Sequence, residues 1–185
     1  MEMKILTVDR NIYLKPAELT DAEIIFNAIN ANREYLRPWL PFVDFTKEPA
    51  DTENFIKSSF TPEGERSDEV FLIFCDDAFA GLIGLKFNKQ DRPNKKTEIG
   101  YWIIEKFQGR GLITKSCRRL IERAFNELGL NRAQLKIAVG NKRSLNVAER
   151  LNFVFEGIER DGELLAGGFI DLKVFSVLKK EFNPA

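Results

Sequence analysis

A glycine-bearing turn, Gln108-Gly109-Arg110-Gly111, separates an apolar, strand-like run (Glu98 to Ile104) from an amphipathic run that begins near Thr114. No other stretch limits the fold as much. A chain that passes from strand into helix through so short a turn leaves the first helical N–H groups without partners. Together with the positive end of the helix dipole, such groups hold phosphate without any side chain. Glycine at two of the four positions opens backbone conformations closed to other residues. Two familiar phosphate turns fit poorly. There is no Gly-Lys-Ser/Thr ending, so this is not a P-loop. Thr114 stands where a dinucleotide fingerprint needs its third glycine, and the turn comes late in the chain instead of opening a βαβ array.

The remaining signals predict a mixed α/β chain. Ile12 to Pro16 reads as a short strand stopped by proline. Thr20-Asp21-Ala22-Glu23 matches a capping box, with Ile24, Ile25, Ala28 and Ile29 at helical spacing behind it. Tyr35 to Phe42, with Pro38 and Pro41, is a proline-broken aromatic loop. A helix is expected over Thr52 to Phe60 and a polar loop over Thr61 to Asp68. Val70 to Cys75 and Ala80 to Phe87 form strands about an Asp76-Asp77 hairpin, and Asn88 to Lys96 is loop. After the strand Thr97 to Ile104, apolar residues at 113, 117, 120, 121, 124, 125 and 128 mark a long helix with Gly129 as its C-cap. A strand (Leu135 to Val139), a short helix (Ser144 to Leu151) and two strands (Phe153 to Ile158, Phe169 to Leu178) follow. No repeat or linker divides the 185 residues, so residues 1–185 read as one domain.

Composition narrows the chemistry. The sequence contains no histidine, which removes Ser-His triads, Cys-His pairs and histidine metal sites. Two separated cysteines, Cys75 and Cys117, cannot make a zinc site, and their apolar settings suggest buried free thiols in a reducing compartment. The 28 basic and 28 acidic residues cancel, which disfavours nucleic-acid binding through a broad basic face. No apolar run is long enough for a bilayer and no signal pattern opens the chain, so the expected location is the cytoplasm.

Beyond the turn, several segments bear a resemblance in the same order. Gln108-Gly109-Arg110-Gly111 resembles the Gln/Arg-x-x-Gly-x-Gly/Ala pyrophosphate loop of the GNAT acetyltransferases. Thr97-Glu98-Ile99-Gly100-Tyr101-Trp102 is similar to the strand before that loop in the RimJ/RimL branch, which acetylates N-termini of ribosomal proteins. Val139-Gly140-Asn141-Lys142-Arg143-Ser144 resembles its Asn-x-x-Ser segment. Leu151-Asn152-Phe153 with Glu156-Gly157, and Phe169-Ile170-Asp171, resemble later elements. The resemblance implies an α/β (α+β) single-domain GNAT fold: a mixed, mostly antiparallel sheet of six or seven strands, splayed at its centre and flanked by helices. It implies acetyl-CoA as co-substrate, no metal, a primary amine as acceptor and, as a family expectation, a homodimer.

Residue roles follow from the same resemblance. The N–H groups around Gln108, Gly109, Arg110, Gly111, Leu112, Ile113 and Thr114 would hold the pyrophosphate. The backbone of Trp102 and Ile103 would pair with the pantetheine arm while their side chains stay in the core. Asn141 would bond the pantetheine or orient the next helix; as a sequence feature it is equally a turn residue. Ser144, otherwise a natural helix N-cap, would donate a hydrogen bond to the departing thiolate. Ala148 stands where many GNAT enzymes carry a tyrosine. Glu163, otherwise a solvated hairpin charge, would take the proton of the attacking amine. An N-terminal α-amine, with a pKa of about 7.7–8.0 against about 10.4 for lysine, needs the least help, which favours it as acceptor. Trp39 would help to form the acceptor site. A small-molecule amine and a non-catalytic acetyl-CoA-binding module remain alternatives. Ile113 and Asn152 depart from the broad pattern; asparagine at 152 tolerates the left-handed backbone that site needs.

Overall fold

A computed structural model describes residues 3–60, 67–88 and 91–183. Among these residues eight strands form one sheet: β1 (Leu6–Thr7), β2 (Ile12–Pro16), β3 (Glu69–Cys75), β4 (Ala78–Lys86), β5 (Lys96–Ile103), β6 (Arg132–Ala138), β7 (Val154–Leu165) and β8 (Gly168–Leu178). Five α-helices accompany them: α1 (Ala22–Ala31), α2 (Arg33–Leu36), α3 (Pro49–Ser58), α4 (Leu112–Glu122) and α5 (Lys142–Arg150). The strand order is β1-β2-β3-β4-β5-β6-β8-β7. Every neighbouring pair is antiparallel except β5 and β6. Among the described residues no helix is long and apolar enough to cross a membrane.

Seven strands overlap the expected ones, β7 running on past Ile158 to Leu165; the eighth, β1, has two residues, too few to leave a pattern. The β3–β4 hairpin turns at Asp76 and Asp77, both at positive φ, as a tight two-residue connection demands. The core is continuous, and Phe71, Phe125, Leu85, Leu120, Ile121 and Leu135 are among its largest fully buried side chains. Both cysteines are free and buried. The expected loops at 61–68 and 88–96 fall partly outside the described residues.

Four local expectations are corrected. The capping box sits two residues earlier than Thr20: Glu18 and Asp21 exchange backbone and side-chain bonds, and Lys15 ties to Asp21 at 2.8 Å. The aromatic loop contains α2 and a 3₁₀ turn, Pro41–Asp44, held by the Arg33 guanidinium, which donates to the Val43 carbonyl and, at 2.7 Å, to that of Thr46. The long helix ends in a π turn, Arg123–Glu127, before Gly129 at φ +66°. Arg123, in that turn, points inward. It is buried against β3 and donates to both carboxylate oxygens of Glu69 at 2.7 Å. Finally, β7 runs through residues 159–163, so Glu163 is a strand residue opposite Ile170. A bulge between Glu159 and Glu163, with Asp161 at φ +50°, hides the alternation there.

Candidate active site

The sheet forks at its one parallel pair. β5 and β6 are joined only from Lys96, Thr97 and Glu98 to Arg132, Ala133 and Gln134. Beyond that point β5 stays with β4 as far as Ile103, and β6 stays with β8 as far as Ala138. Two strand edges then face each other without pairing, and their backbone groups are open to a ligand that lies between them. A cavity of about 460 Å³ occupies this place. Tyr101, Trp102 and Ile103 line one side; Asn141, Ser144 and Val147 line another. Gln108, Gly109, Gly111, Leu112, Ile113 and Thr114 line it as well, as do Tyr35 and Trp39.

The turn has the geometry its glycines suggest. Gly109 and Gly111 sit at φ +73° and +74°, in the left-handed region. The first backbone bond of α4 is from the Lys115 N–H to the Gly111 carbonyl at 3.0 Å. The six N–H groups from Gly109 to Thr114 have no partner among the described residues. A Cβ at either glycine would meet nothing within 4 Å, so the protein itself leaves space beside this backbone. The Gln108 amide nitrogen is buried and unpartnered as well. Free amides, open space and an orphaned donor fit a pyrophosphate-bearing group. Arg110 is outside the cavity wall; its guanidinium lies 5.4 Å from the Phe107 ring centre. Lys115 is engaged elsewhere, in an ion pair with Asp9 at 2.6 Å.

On the far wall Asn141 is the N-cap of α5. Its side-chain oxygen accepts the Ser144 N–H at 3.2 Å. Ser144 is therefore not the cap; it is the third residue of α5, with its hydroxyl released from capping. The Trp102 side chain is buried edge-on to Phe79, with ring centres 6.0 Å apart. The Trp39 ring packs against Gly140, where an added Cβ would lie 3.5 Å from it. Trp39 also lines a second cavity, of about 500 Å³, with Val139, Phe169 and Asp171.

Glu163 does not line the fork cavity. It faces Lys86, Glu98, Lys136 and Glu159, and burial raises its carboxyl above the ordinary range. Glu98 and Glu159 add to that rise, while Lys86 and Lys136 oppose it. Lys136 is paired with Glu159 at 2.7 Å, and Glu98 accepts from the Gln134 amide at 3.2 Å. Glu98 belongs to the short paired stem of the fork, and its charge reaches Glu163. Two contributors were not singled out in the sequence. Gly81 brings β4 so close to β5 that a Cβ there would meet the Trp102 carbonyl at 2.2 Å. Tyr101 carries a buried hydroxyl without a hydrogen-bond partner among the described residues; alternation in β5 was the signal, since it sets residue 101 on the same face as buried Thr97 and Ile99.

A sheet forked at a parallel pair, with free amides at the helix start beside it, is a site suited to a phosphate-bearing ligand with an extended arm. Residues 11–154 match the family described as "Acetyltransferase (GNAT) domain". A relative from Bacillus subtilis (strain 168), "Putative ribosomal N-acetyltransferase YdaF", is 37% identical over 95% of this chain and 96% of its own length. "Ribosomal-protein-serine acetyltransferase" of Escherichia coli (strain K12) is 27% identical over 92% of this chain and 94% of its own. Among solved structures, "Microcin C7 self immunity acetyltransferase MccE in complex with Acetyl-CoA and AMP" has a TM-score of 0.82 at 30% identity, covering 92% of this chain and 94% of that one. The chain belongs to the GNAT acetyltransferase family. It is an N-acetyltransferase with acetyl-CoA as co-substrate.

Proposed function

We propose that the fork cavity holds acetyl-CoA and that the acceptor is the N-terminal α-amine of a ribosomal protein in the cytoplasm. The observation that carries this reading is the run of six free N–H groups beside a cavity walled by Asn141 and Ser144. The names of the relatives above supply the acceptor class. The amides from Gly109 to Thr114, with the dipole of α4, receive the pyrophosphate. Gln108 donates its amide hydrogen nearby. The open edge of β5 at Trp102 and Ile103 pairs with the pantetheine arm, and one of its N–H groups polarises the acetyl carbonyl. Arg110, held over Phe107, contributes its backbone N–H only.

The amine approaches past Trp39 and attacks the thioester carbon directly. Glu163 takes its proton through water, since the carboxylate is outside the cavity wall and a raised pKa makes it a better base near neutrality. The new N–C bond forms, the C–S bond breaks, and sulfur leaves with the electron pair. The Ser144 hydroxyl donates to that thiolate. All 185 residues act as one unit. A homodimer is consistent with the exposed apolar residues Val154, Phe155, Ile158 and Leu164 on the edge strand β7.

The acceptor is tested by mass spectrometry after incubation with acetyl-CoA and either ribosomal proteins or a panel of small amines. An acetyl group on a protein α-amine is expected. Acetylation confined to small amines, or to lysine side chains, overturns the acceptor assignment.

A further inference from the structure

Tyr101 lines the fork cavity, and its hydroxyl is out of contact with solvent, beside Ser144 but without a hydrogen bond of normal geometry among the described residues. Such a group gives up its bonds to water on folding and regains none. Phenylalanine would fill the same space without that loss, so volume does not account for the hydroxyl. With no solvent-accessible face, it must find its partner in a neighbouring side chain. The groups it faces are Ser144 on α5 and the buried Cys117 thiol on α4. Burial keeps both the phenol and the thiol protonated. Tyr101 therefore acts as a donor, and Cys117 is a weak acceptor beside a hydroxyl oxygen. Ser144 has its N–H taken by Asn141 and its hydroxyl free to turn. The next residue on its own helix face, Ala148, brings no polar atom.

We propose that Tyr101 is a positioning residue: its hydroxyl donates to the Ser144 oxygen and thereby turns the Ser144 proton toward the sulfur that leaves as thiolate. The inference rests on the cavity being the acetyl-CoA site. Its balance is simple. The C–S electron pair goes to sulfur, the amine proton goes to solvent by way of Glu163, and Tyr101 and Ser144 keep their own protons throughout. Closing the contact breaks no side-chain bond of Ser144 among the described residues, since Asn141 accepts its backbone N–H alone.

The test compares Tyr101→Phe, Ser144→Ala and the double variant. Binding of CoA is measured against desulfo-CoA, whose thiol is replaced by hydrogen, at about pH 9, where a thiol of pKa about 8.5 is ionised. The unaltered protein is expected to prefer CoA, and Tyr101→Phe to narrow that preference about fivefold or more while acetyl-CoA affinity stays the same. In turnover, kcat should fall about tenfold with KM for acetyl-CoA unchanged, and the double variant should be no slower than Ser144→Ala. Unchanged preference in Tyr101→Phe, losses that multiply in the double variant, or a preference that survives Ser144→Ala each overturn the proposal; the last does so whether or not Tyr101→Phe folds. Failure of the unaltered protein to bind CoA overturns the cavity assignment with it.

Discussion

Glu163 and Glu156 show how the same side chain takes opposite character one bulge apart. Glu156 is held down to about 2 by Arg132, whose guanidinium it meets at 2.5 Å, and by the Ser176 hydroxyl. Its stabilisation is present above the ordinary glutamate range and is lost as pH falls toward about 2. Glu163 is raised by burial, so its charge destabilises the fold above the unfolded carboxyl value, and acidification relieves this. Glu163→Gln should therefore raise the thermal midpoint at neutral pH, with the gain closing as pH falls below the carboxyl range. In turnover the same variant should lose more at low pH, where the amine needs a base, than at high pH, where it deprotonates unaided. A pH–rate profile lowered equally at all pH values would assign Glu163 to positioning instead. Ser144 was legible in sequence as a polar residue at a helix start, but its release from capping was not. That depends on Asn141 three residues earlier winning the cap. Asn152, by contrast, was fully legible: it is left-handed at φ +56°, a conformation that short polar side chains tolerate.

At the scale of elements, strands and helices with clean periodicity were readable and those without it were not. β3 and β4 are apolar runs around an Asp-Asp turn, and α4 repeats its buried residues at three and four. β1 has no length to show a pattern, and the bulge in β7 breaks its alternation where Glu163 lies. The π turn and the buried Arg123–Glu69 pair were invisible because a basic helix face usually points to water. The β4–β5 contact rests on Gly81, which sequence presents only as a glycine in a strand. Gly81→Ala would drive a methyl group into the Trp102 carbonyl and the Ile103 backbone, at 2.2 and 2.8 Å, where neither can give way as a side chain can. It should cost about 1–3 kcal/mol in chemical denaturation. Gly167→Ala, with nothing within 4 Å, serves as the near-neutral control. Equal stability of the two variants would contradict the close approach.

For the molecule as a whole, the turn at Gln108–Gly111 was legible because its chemistry is local: free amides at a helix start. The fork was not, because it depends on which strands pair across 30 or more residues of sequence and on where the β5–β6 ladder stops. The resemblance to the GNAT acetyltransferases supplied that topology, and the strand order bears it out. The joining of turn and fork makes the site: amides alone would hold any phosphate, and an open strand edge alone would hold any extended chain. Calorimetric titration with acetyl-CoA of the unaltered protein and of Gly111→Val tests that union most directly. The bulky side chain is placed where the backbone is left-handed and the adjacent space is open. Binding by the unaltered protein and an affinity at least about tenfold weaker in a folded Gly111→Val variant are predicted. No binding by the unaltered protein, or equal affinity in the two, would contradict the assignment of the Gln108–Thr114 turn as the acetyl-CoA cradle.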